Sequence, residues 1–312
     1  MDVSRMSHIP APPPGRGGWP WTLPAARSVE TPPKGVLWPR ISVITPSYNQ
    51  GPFLEQTIRS VLLQGYPNLE YIVIDGGSSD ESVEIIRKYE RFLAHWVSEP
   101  DRGQSHAINK GFQLATGQIM CWLNSDDYYL PGTLETVGTI LGDGTGIFAL
   151  VGHCVQVYAD GRPPTRSEGR FEGLSRLLQF WKGYHMHQPS IFWRREVFEK
   201  VGFLNEQQHY IMDFDYWVRI ARHYKFENID HELSCATYHK DAKTGDAFVK
   251  YYQELRRYAP KYWPSPFSFE YWRLKVSMLK HLYYLPVERR LKSSARYRIS
   301  SVRRVLREGR LR

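Results

Sequence analysis

The apolar residues in the central part of the chain follow two alternating spacings. Short and nearly continuous apolar runs predict buried strands at residues 41–44, 69–74, 94–97 and 119–123. Between the first two runs, apolar residues recur at i, i+4, i+7 and i+8. This spacing predicts a helix that carries Leu54, Ile58, Val61 and Leu62.

Helix start and stop signals place further helices between the later strands. Ser78 and Glu81 have the spacing of a capping box and predict a helix that continues to Tyr89. A helix over 105–116 is expected to stop at Gly117, and Pro131 is expected to start the next one.

The second half of the chain continues with a mixed pattern. Strands are predicted at 148–158, 190–193, 226–230 and 233–239, and helices at 174–181 and 212–224. Alternation of strands and helices predicts an α/β fold, with a mainly parallel, Rossmann-like sheet and helices on both faces. Ligands bind such sheets outside the carboxyl ends of the strands.

Polar and acidic residues follow the first four predicted strands at the ends where ligands would bind. These segments are 46–49 (PSYN), 75–80 (DGGSSD), 99–103 (EPDRG) and 124–127 (NSDD). A single polar strand end carries little information. Four of them along one predicted edge indicate a binding site.

The adjacent carboxylates of Asp126 and Asp127 give the clearest chemical signal. They repel each other at the end of a buried strand, and a hard divalent cation such as Mg²⁺ or Mn²⁺ is the natural counter-charge. Taken alone, the pair is better explained as a solvated turn before Pro131. The three neighbouring polar strand ends favour the metal site.

The sequence excludes two classes of nucleotide-binding protein, the Rossmann dehydrogenases and the P-loop proteins. The loop Asp75-Gly76-Gly77 is not a GxGxxG fingerprint, and the chain has no Walker A sequence. Asp75 could accept a hydrogen bond from a base or ribose, and the glycines would allow a ligand to approach the backbone. An ordinary Gly-Ser turn explains this loop equally well when it is considered alone.

Three segments taken together resemble the family 2 glycosyltransferases of the GT-A fold, in the style of bacterial O-antigen and exopolysaccharide sugar transferases. The segments are 41–49 (ISVITPSYN), 74–80 (IDGGSSD) and 122–127 (WLNSDD), and the resemblance covers about residues 40–240. It implies a GT-A fold, a nucleotide-sugar donor and a divalent metal cofactor, Mn²⁺ or Mg²⁺.

The resemblance also implies which residues bind the nucleotide. Asp75 matches the acidic residue that reads the base, commonly uracil, and this favours UDP over GDP or dTDP. The residues implied for nucleotide and donor binding are Pro46, Ser47, Tyr48, Asp75, Asp101, Arg102 and Ser125.

For the metal, the resemblance implies Asp126, Asp127 and His239 as ligands. The chain departs from the family pattern at Asn124, which stands at the first acidic position of the DxD motif. Metal binding is therefore expected to depend on Asp126, with help from Asp127, and the choice of principal ligand between these two stays open.

Asp213 is implied as the catalytic base, with Met212 in place of the Glu that precedes it in the family. Asp215 and Arg219 are spaced i, i+4 and are better explained as an intrahelical ion pair. The segment 187–190 (HQPS) resembles one near the acceptor side of the pocket.

The function expected from these residues is inverting transfer of a sugar to an acceptor hydroxyl in cell-surface polysaccharide or O-antigen synthesis. Two alternatives stay open. A nucleotidyltransferase would normally carry a Gly-rich basic loop after the first strand, and residues 47–50 (SYNQ) lack one. A non-catalytic binding protein with a degenerate transferase body is kept open by Asn124 and Met212.

Composition separates both ends of the chain from its body. Residues 1–38 are rich in Pro, Gly and Arg and predict a flexible arm, followed by a transferase domain over 39–245 and a basic helical extension over 246–312. From Tyr251 onwards, the chain has 16 Lys and Arg and 4 Asp and Glu, a local net charge of +12. Because the net charge of the whole chain is +9, the preceding residues have a net charge of −3.

The basic extension has three open interpretations: a helix packed on the catalytic domain, attachment to an anionic membrane surface, or nucleic-acid binding. Because the implied acceptor is lipid-linked or a saccharide, membrane contact is favoured and no nucleic-acid partner is expected. An amphipathic helix is predicted from Phe267, Tyr271, Leu274, Met278 and Leu282.

Three separated cysteines without a CxxC pair argue against a disulfide scaffold or a zinc site. No apolar run approaches the roughly 20 residues of a membrane-spanning helix, and the first residues do not resemble a signal peptide. We therefore expect a cytoplasmic protein, attached peripherally to the inner face of the plasma membrane.

Overall fold

The structure, a computed structural model, describes residues 8–22, 37–179, 186–239, 242 and 248–279, apart from 264, 266 and 268. It divides into two compact units, Met1–Gly245 and Asp246–Arg312. Among the described residues, no helix combines the length and the hydropathy that crossing a bilayer requires.

The elements of the described residues are as follows in chain order. The strands are β1 (Ile41–Ser47), β2 (Leu69–Asp75), β3 (His95–Ser98), β4 (Ile119–Trp122), β5 (Tyr128–Tyr129), β6 (Ala149–Tyr158), β7 (Thr165–Ser167), β8 (Ile191–Arg194) and β9 (Phe226–Tyr238). The helices are α1 (Gly51–Leu62), α2 (Ser82–Tyr89), α3 (Gln104–Leu114), α4 (Thr133–Ile140), α5 (Leu174–Leu177), α6 (Arg195–Val201), α7 (Met212–Ala221), α8 (Phe248–Tyr262) and α9 (Phe269–Leu279).

The strands join one sheet in the order β3-β2-β1-β4-β8-β6-β9-β5, and β7 pairs with β6. The block β3-β2-β1-β4 is parallel, as is the long β6–β9 pair. Strand β8 runs antiparallel to both of its neighbours. The predicted α/β fold, a mostly parallel sheet flanked by helices, is confirmed.

Strand β1 lies between β2 and β4 and is buried along its whole length. All seven of its residues are buried, as a strand with a neighbour on each side and helices on its faces requires. Helix α3 lies close against β1 at Gly111, where an added Cβ would collide with the side chain of Ile44. Glycine at this position therefore lets α3 pack directly on β1.

Two local predictions were wrong. The strands predicted over 226–230 and 233–239 form the single strand β9. Its pairing with β6 shifts register between Val151 and His153, so the polar residues between the two predicted strands stay within one continuous strand. The capping box is also absent: the hydroxyl of Ser78 donates to Asp75, and the N–H of Ser82 donates instead to Asp80 Oδ1 at 3.0 Å.

Other differences concern short elements. Strands β5 and β7 and helix α6 were not predicted, since they have too few residues for a clear period. The helix expected to start at Pro131 begins at Thr133. The helix predicted over 174–181 is described only as α5, and residues 180 and 181 lie outside the described residues.

Residues 8–22, within the expected flexible arm, are instead packed on the first unit; we call them the N-terminal strap. The guanidinium of Arg59 on α1 is 4% exposed and donates to the backbone carbonyls of Pro10, Pro20 and Trp21. The physical reason is that a buried guanidinium must have its donors satisfied, and the backbone carbonyls of the strap supply three of the acceptors.

The second unit contains α8 and α9. Leu274 and Ser277 on α9 are buried, and Ser277 Oγ lies 3.5 Å from the hydroxyl of Tyr252 on α8. Leu274 belongs to the apolar stripe predicted from the sequence, and the exposed apolar residues of α9 form a different stripe, at i, i+3, i+7 and i+10. They are Phe269, Trp272, Val276 and Leu279, exposed by 58–66%. The predicted stripe residue Leu282 lies outside the described residues.

Candidate active site

The parallel register of β1 with its two neighbours brings several strand ends to one edge of the sheet. Ser47 at the end of β1 pairs with Asp75 of β2, which in turn pairs with Ser98 of β3. On the other side of β1, Ile44 pairs with Trp122, the last residue of β4. The four polar loops predicted to form the site therefore start at the same edge.

Asp75 organises the loop after β2. It is fully buried, and its Oδ2 accepts hydrogen bonds from the N–H groups of Gly77 (3.1 Å) and Ser78 (2.8 Å) and from the hydroxyl of Ser98 (2.7 Å). Its Oδ1 accepts from the hydroxyl of Ser78 at 2.5 Å. The carboxylate therefore fixes the backbone of residues 75–78.

The end of β1 is cross-linked to this loop. Pro46 and Ser47 are buried, and Ser47 Oγ has no hydrogen-bond partner among the described residues, whereas Tyr48 is 62% exposed. Asn49 adopts a left-handed φ of +50°, and its N–H donates to the hydroxyl of Ser78 at 2.8 Å. Tyr48 is thus presented at the surface beside a rigid turn.

The loop after β3 comes against the loop after β2. A Cβ at Gly76 would lie 2.6 Å from Asp101 Oδ2, so glycine is required for this approach. Asp101 Oδ1 accepts from the N–H of Gly103 at 2.6 Å. The guanidinium of Arg102 is held by Glu206 Oε2 through two hydrogen bonds, at 3.1 and 2.6 Å.

Asp126 and His239 form a pair at this edge. Asp126 Oδ2 lies 3.1 Å from His239 Nε2. The His239 side chain is 4% exposed and packs on the ring of Phe53, with the ring centroids 4.3 Å apart. Its Nδ1 has no partner among the described residues. Two atoms of the kind that bind divalent cations therefore face each other here.

Asp127 points elsewhere. It is 7% exposed, and its Oδ1 accepts from the N–H of Thr237 at 3.0 Å, while Oδ2 is 3.4 Å from the amide nitrogen of Asn124. Burial, together with the neighbouring Asp126 charge, raises the pKa of Asp127 well above its usual value, although these hydrogen bonds oppose the shift. The Asn124 amide oxygen accepts from Gln104 at 2.7 Å.

Ser125 contributes its backbone to the support of this loop. The residue is 5% exposed, and its carbonyl accepts from the hydroxyl of Thr57 on α1 at 2.9 Å. The same hydroxyl lies 2.7 Å from the carbonyl of Asp127. Helix α1 therefore holds the backbone on both sides of Asp126.

Asp213 lies in the first turn of α7, half-buried, with its Oδ1 accepting from the N–H of Phe214 at 2.7 Å. The start of α7 touches the start of α3. The hydroxyl of Ser105 lies 2.9 Å from the sulfur of Met212 and 3.0 Å from the carbonyl of Gln208. Since Gln104 contacts Asn124, this contact links Asp213 to the loop that carries Asp126.

The other residues singled out on this side have structural partners. Asp215 is fully buried, and its Oδ2 accepts from Arg219 Nε at 2.8 Å, so the predicted intrahelical ion pair is confirmed. In the segment 187–190, the Gln188 side chain donates to the carbonyl of Trp122 at 2.7 Å. This segment is thereby attached to the end of β4.

The sequence did not single out four residues that shape this edge: Phe53, Thr57, Gln104 and Glu206. Gln104 directly precedes the helix predicted over 105–116, which was the one signal for its position. Within the described ranges, no group of three or more His, Cys, Asp and Glu side chains could hold a metal. Among the residues that the structure describes, a cation at this pair would have Asp126 and His239 as its side-chain ligands.

Comparison with known proteins agrees with this geometry. Residues 42–202 match the family described as Glycosyl transferase family 2. The chain is 25% identical over 221 residues to an uncharacterized glycosyltransferase of Rickettsia typhi, covering 69% of each chain. It is 34% identical over 128 residues to a putative teichuronic acid biosynthesis glycosyltransferase of Bacillus subtilis, covering 40% of this chain and 50% of that protein.

Solved structures share the fold. TarS 1–349 of S. aureus, in complex with UDP-GlcNAc, has a TM-score of 0.58 at 18% identity, covering 78% of this chain and 71% of that one. A mannosyltransferase from Pyrobaculum calidifontis, in complex with GDP-Man and Mn²⁺, has a TM-score of 0.57 at 21% identity, covering 88% and 84%.

Replacement of Asp75 by Asn tests the loop after β2. The change puts an NH₂ group where an oxygen accepts hydrogen bonds, so we expect the free energy of unfolding to fall by about 1–3 kcal/mol. Thermal unfolding measures the effect. Asp160→Asn, in an exposed turn, is the control. Unchanged stability of Asp75→Asn would contradict the organising role.

Proposed function

Because the chain belongs to glycosyl transferase family 2, an enzyme family, we propose that it moves a sugar from a nucleoside-diphosphate donor to an acceptor hydroxyl with inversion at the anomeric carbon. The observation that carries this proposal is the Asp126–His239 pair at the edge where the loops after β1, β2, β3 and β4 are cross-linked. Family membership favours a transferase over the nucleotidyltransferase and the non-catalytic binding protein.

We assign the nucleotide to the loops after β1 and β2, with UDP favoured. The exposed ring of Tyr48 stands beside the rigid 75–78 loop, and Gly76 and Gly77 let the loop after β3, which carries Asp101, approach this loop closely. Asp101, Arg102 and Ser125 border the assigned donor sugar and diphosphate. TarS bound to UDP-GlcNAc supports a uridine nucleotide, whereas the Pyrobaculum calidifontis mannosyltransferase bound to GDP-Man makes GDP the alternative.

The residues at this edge fit a divalent cation. Two ligands bonded at about 2.1 Å and at right angles lie about 3 Å apart, and Asp126 Oδ2 and His239 Nε2 are 3.1 Å apart. The buried carboxyl of Asp127 has other partners, so Asp126 is the principal carboxylate in this proposal. A bound Mn²⁺ or Mg²⁺ would stabilise the negative charge of the diphosphate leaving group.

Asp213 is the proposed catalytic base. It lies in the first turn of α7, next to Met212, whose sulfur contacts Ser105 at the start of α3. Gln104, the residue before Ser105, contacts Asn124 in the loop of Asp126. Its carboxylate would accept the proton of the acceptor hydroxyl as that oxygen attacks the anomeric carbon. Binding of donor and acceptor side by side would supply a further part of the acceleration.

The proposed pathway is synthesis of a cell-surface polysaccharide, with a lipid-linked or saccharide acceptor. The support is the teichuronic acid biosynthesis assignment of the Bacillus subtilis relative, which matches 40% of this chain.

The second unit provides the proposed contact with an anionic membrane on the cytoplasmic side. Phe269, Trp272, Val276 and Leu279 present an exposed apolar stripe on α9, and the cations of Arg273 and Lys275 lie over aromatic rings of the same helix. The sequence from residue 251 onwards carries a balance of +12. Aromatic and basic side chains on one helix are typical of attachment to an anionic interface.

Replacement of Asp213 by Asn tests the base. The variant keeps the shape of the side chain but cannot accept a proton, so we expect kcat to fall by about 10²- to 10⁴-fold while UDP affinity stays within about twofold. Transfer assays over a panel of nucleotide sugars measure this, with Asp160→Asn as the control. If turnover stays close to that of the wild type, Asp213 is not the base.

Asp215→Asn should instead lower the thermal stability, because it leaves Arg219 without its buried carboxylate partner.

Replacement of His239 by Ala tests the metal site. With one of two protein ligands removed, we expect the Mn²⁺ concentration for half-maximal UDP binding to rise about tenfold or more, and Asp126→Ala should have a similar effect. The matched control is His153→Ala, which breaks a His–Asp pair with a 2.9 Å separation on β6 and β9. UDP binding that is independent of Mn²⁺ in the wild type, or equal effects of both histidine variants, would reject the site.

Replacement of Trp272 by Ala together with Val276 by Ser tests the apolar stripe. We expect the wild type to float with vesicles that contain phosphatidylglycerol but not with phosphatidylcholine alone, and the double variant to lose at least half of this binding. Phe203→Ser, at a 45% exposed phenylalanine of the first unit, is the control. Equal flotation of wild type and double variant would contradict membrane contact through α9.

A further inference from the structure

The N-terminal strap is bound by a buried cation on α1. Arg59 Nη1 donates to the carbonyl of Pro10 at 2.6 Å, Nη2 to that of Trp21 at 3.0 Å, and Nε to that of Pro20 at 3.2 Å. The remaining contact is with the hydroxyl of Tyr89 at 3.1 Å. Since three of these four partners belong to the strap, the strap supplies most of the acceptors that let Arg59 be buried.

A second contact joins the strap to the loop of the proposed metal ligand. The indole Nε1 of Trp19 donates to the carbonyl of Tyr129 at 2.6 Å, across 110 positions of sequence. Tyr129 is fully buried and lies three residues after Asp126. Its N–H donates to the hydroxyl of Ser60, which is the next residue to Arg59 on α1.

The backbone from Ser125 to Tyr129 is therefore held from two directions. Helix α1 holds it through the hydroxyls of Thr57 and Ser60. The strap holds the carbonyl of Tyr129 through Trp19. The same segment includes β5, which pairs with β9, and His239 follows directly after β9. The separation of Asp126 and His239 thus depends on where this segment is held.

We propose that the N-terminal strap is a positioning element of the donor site, in which Trp19 fixes the segment 125–129 so that Asp126 faces His239. This inference rests on the proposed metal and nucleotide site. Trp19 acts through the backbone of Tyr129 and does not touch donor or metal. Residues at the start of the chain thereby belong to the catalytic unit, although the family match begins only at residue 42.

The test compares full-length variants by two independent measurements. Trp19→Phe removes the indole N–H but keeps an aromatic ring, and Arg59→Lys weakens the hold on the strap as a second variant. Arg91→Ala is the matched control, because Arg91 also binds the strap, through the carbonyl of His8, at the opposite end of the strap from Trp19. Hydrogen exchange of the peptide 124–130 and calorimetric binding of UDP with Mn²⁺ are the readouts, alongside thermal unfolding.

We expect Trp19→Phe to speed exchange of the 124–130 peptide about fivefold, the change that loss of one net hydrogen bond brings. The Mn²⁺ concentration needed for UDP binding should rise by a similar factor, while Arg91→Ala changes neither. Arg59→Lys should shift both readouts in the same direction as Trp19→Phe.

Unchanged exchange of this peptide in Trp19→Phe would overturn the proposal. Faster exchange with an unchanged Mn²⁺ requirement would also overturn it, because the strap would then hold the loop without positioning a metal ligand. If the wild type binds neither UDP nor GDP with Mn²⁺, the proposed function fails. The metal-positioning inference then falls with it, and the exchange result shows separately whether Trp19 holds the segment.

Discussion

The structure depends above all on the register of β1 between β2 and β4. With Ser47 opposite Asp75 and Ile44 opposite Trp122, the polar segments that follow three strands start at one edge of the sheet. Because side chains alternate along a strand, a slip of one residue would reverse the face of every buried side chain of β1. The full burial of β1 therefore protects the geometry of the site as well as the core.

Helix α1 transmits this geometry from one loop to the next. Its first N–H group, at Gly51, donates to Asp80 beyond the Asp75 loop, and its middle residue Thr57 holds the backbone on both sides of Asp126. One rigid element thus sets the distance between the proposed nucleotide loop and the proposed metal ligand. The strap bound by Arg59 extends the same support to Tyr129.

Helices and strands long enough to show a clear hydrophobic pattern could be predicted from the sequence, whereas contacts between residues far apart in the sequence could not. The four-residue spacing of α1 and the apolar runs of β1 and β2 are local signals, and the structure contains all three elements. Ser78 has the spacing of a cap, yet its hydroxyl serves Asp75, because the tertiary contact competes with the local one. The strap resembled a flexible arm because its partner, Arg59, lies elsewhere in the sequence. The metal role of Asp126 and the nucleotide role of Asp75 were suggested by their strand-end positions and by the resemblance, the role of Asp213 by the resemblance alone, and all three stay predictions.

The hydrogen bonds of the Asn124 side chain explain why the chain departs from the acidic motif at this position. Both polar atoms of the amide have a partner: its oxygen accepts from Gln104, and its nitrogen donates toward Asp127 Oδ2. A carboxylate at this position would lose the donor toward Asp127 and add a third negative charge beside a carboxyl whose pKa burial already raises. Asn124 thus keeps the link between α3 and the loop of Asp126 without that repulsion. In the proposed metal site, the half-buried carboxylate of Asp126 is then the acidic ligand that pairs with His239, which makes the histidine more important here than in a site with two acidic ligands.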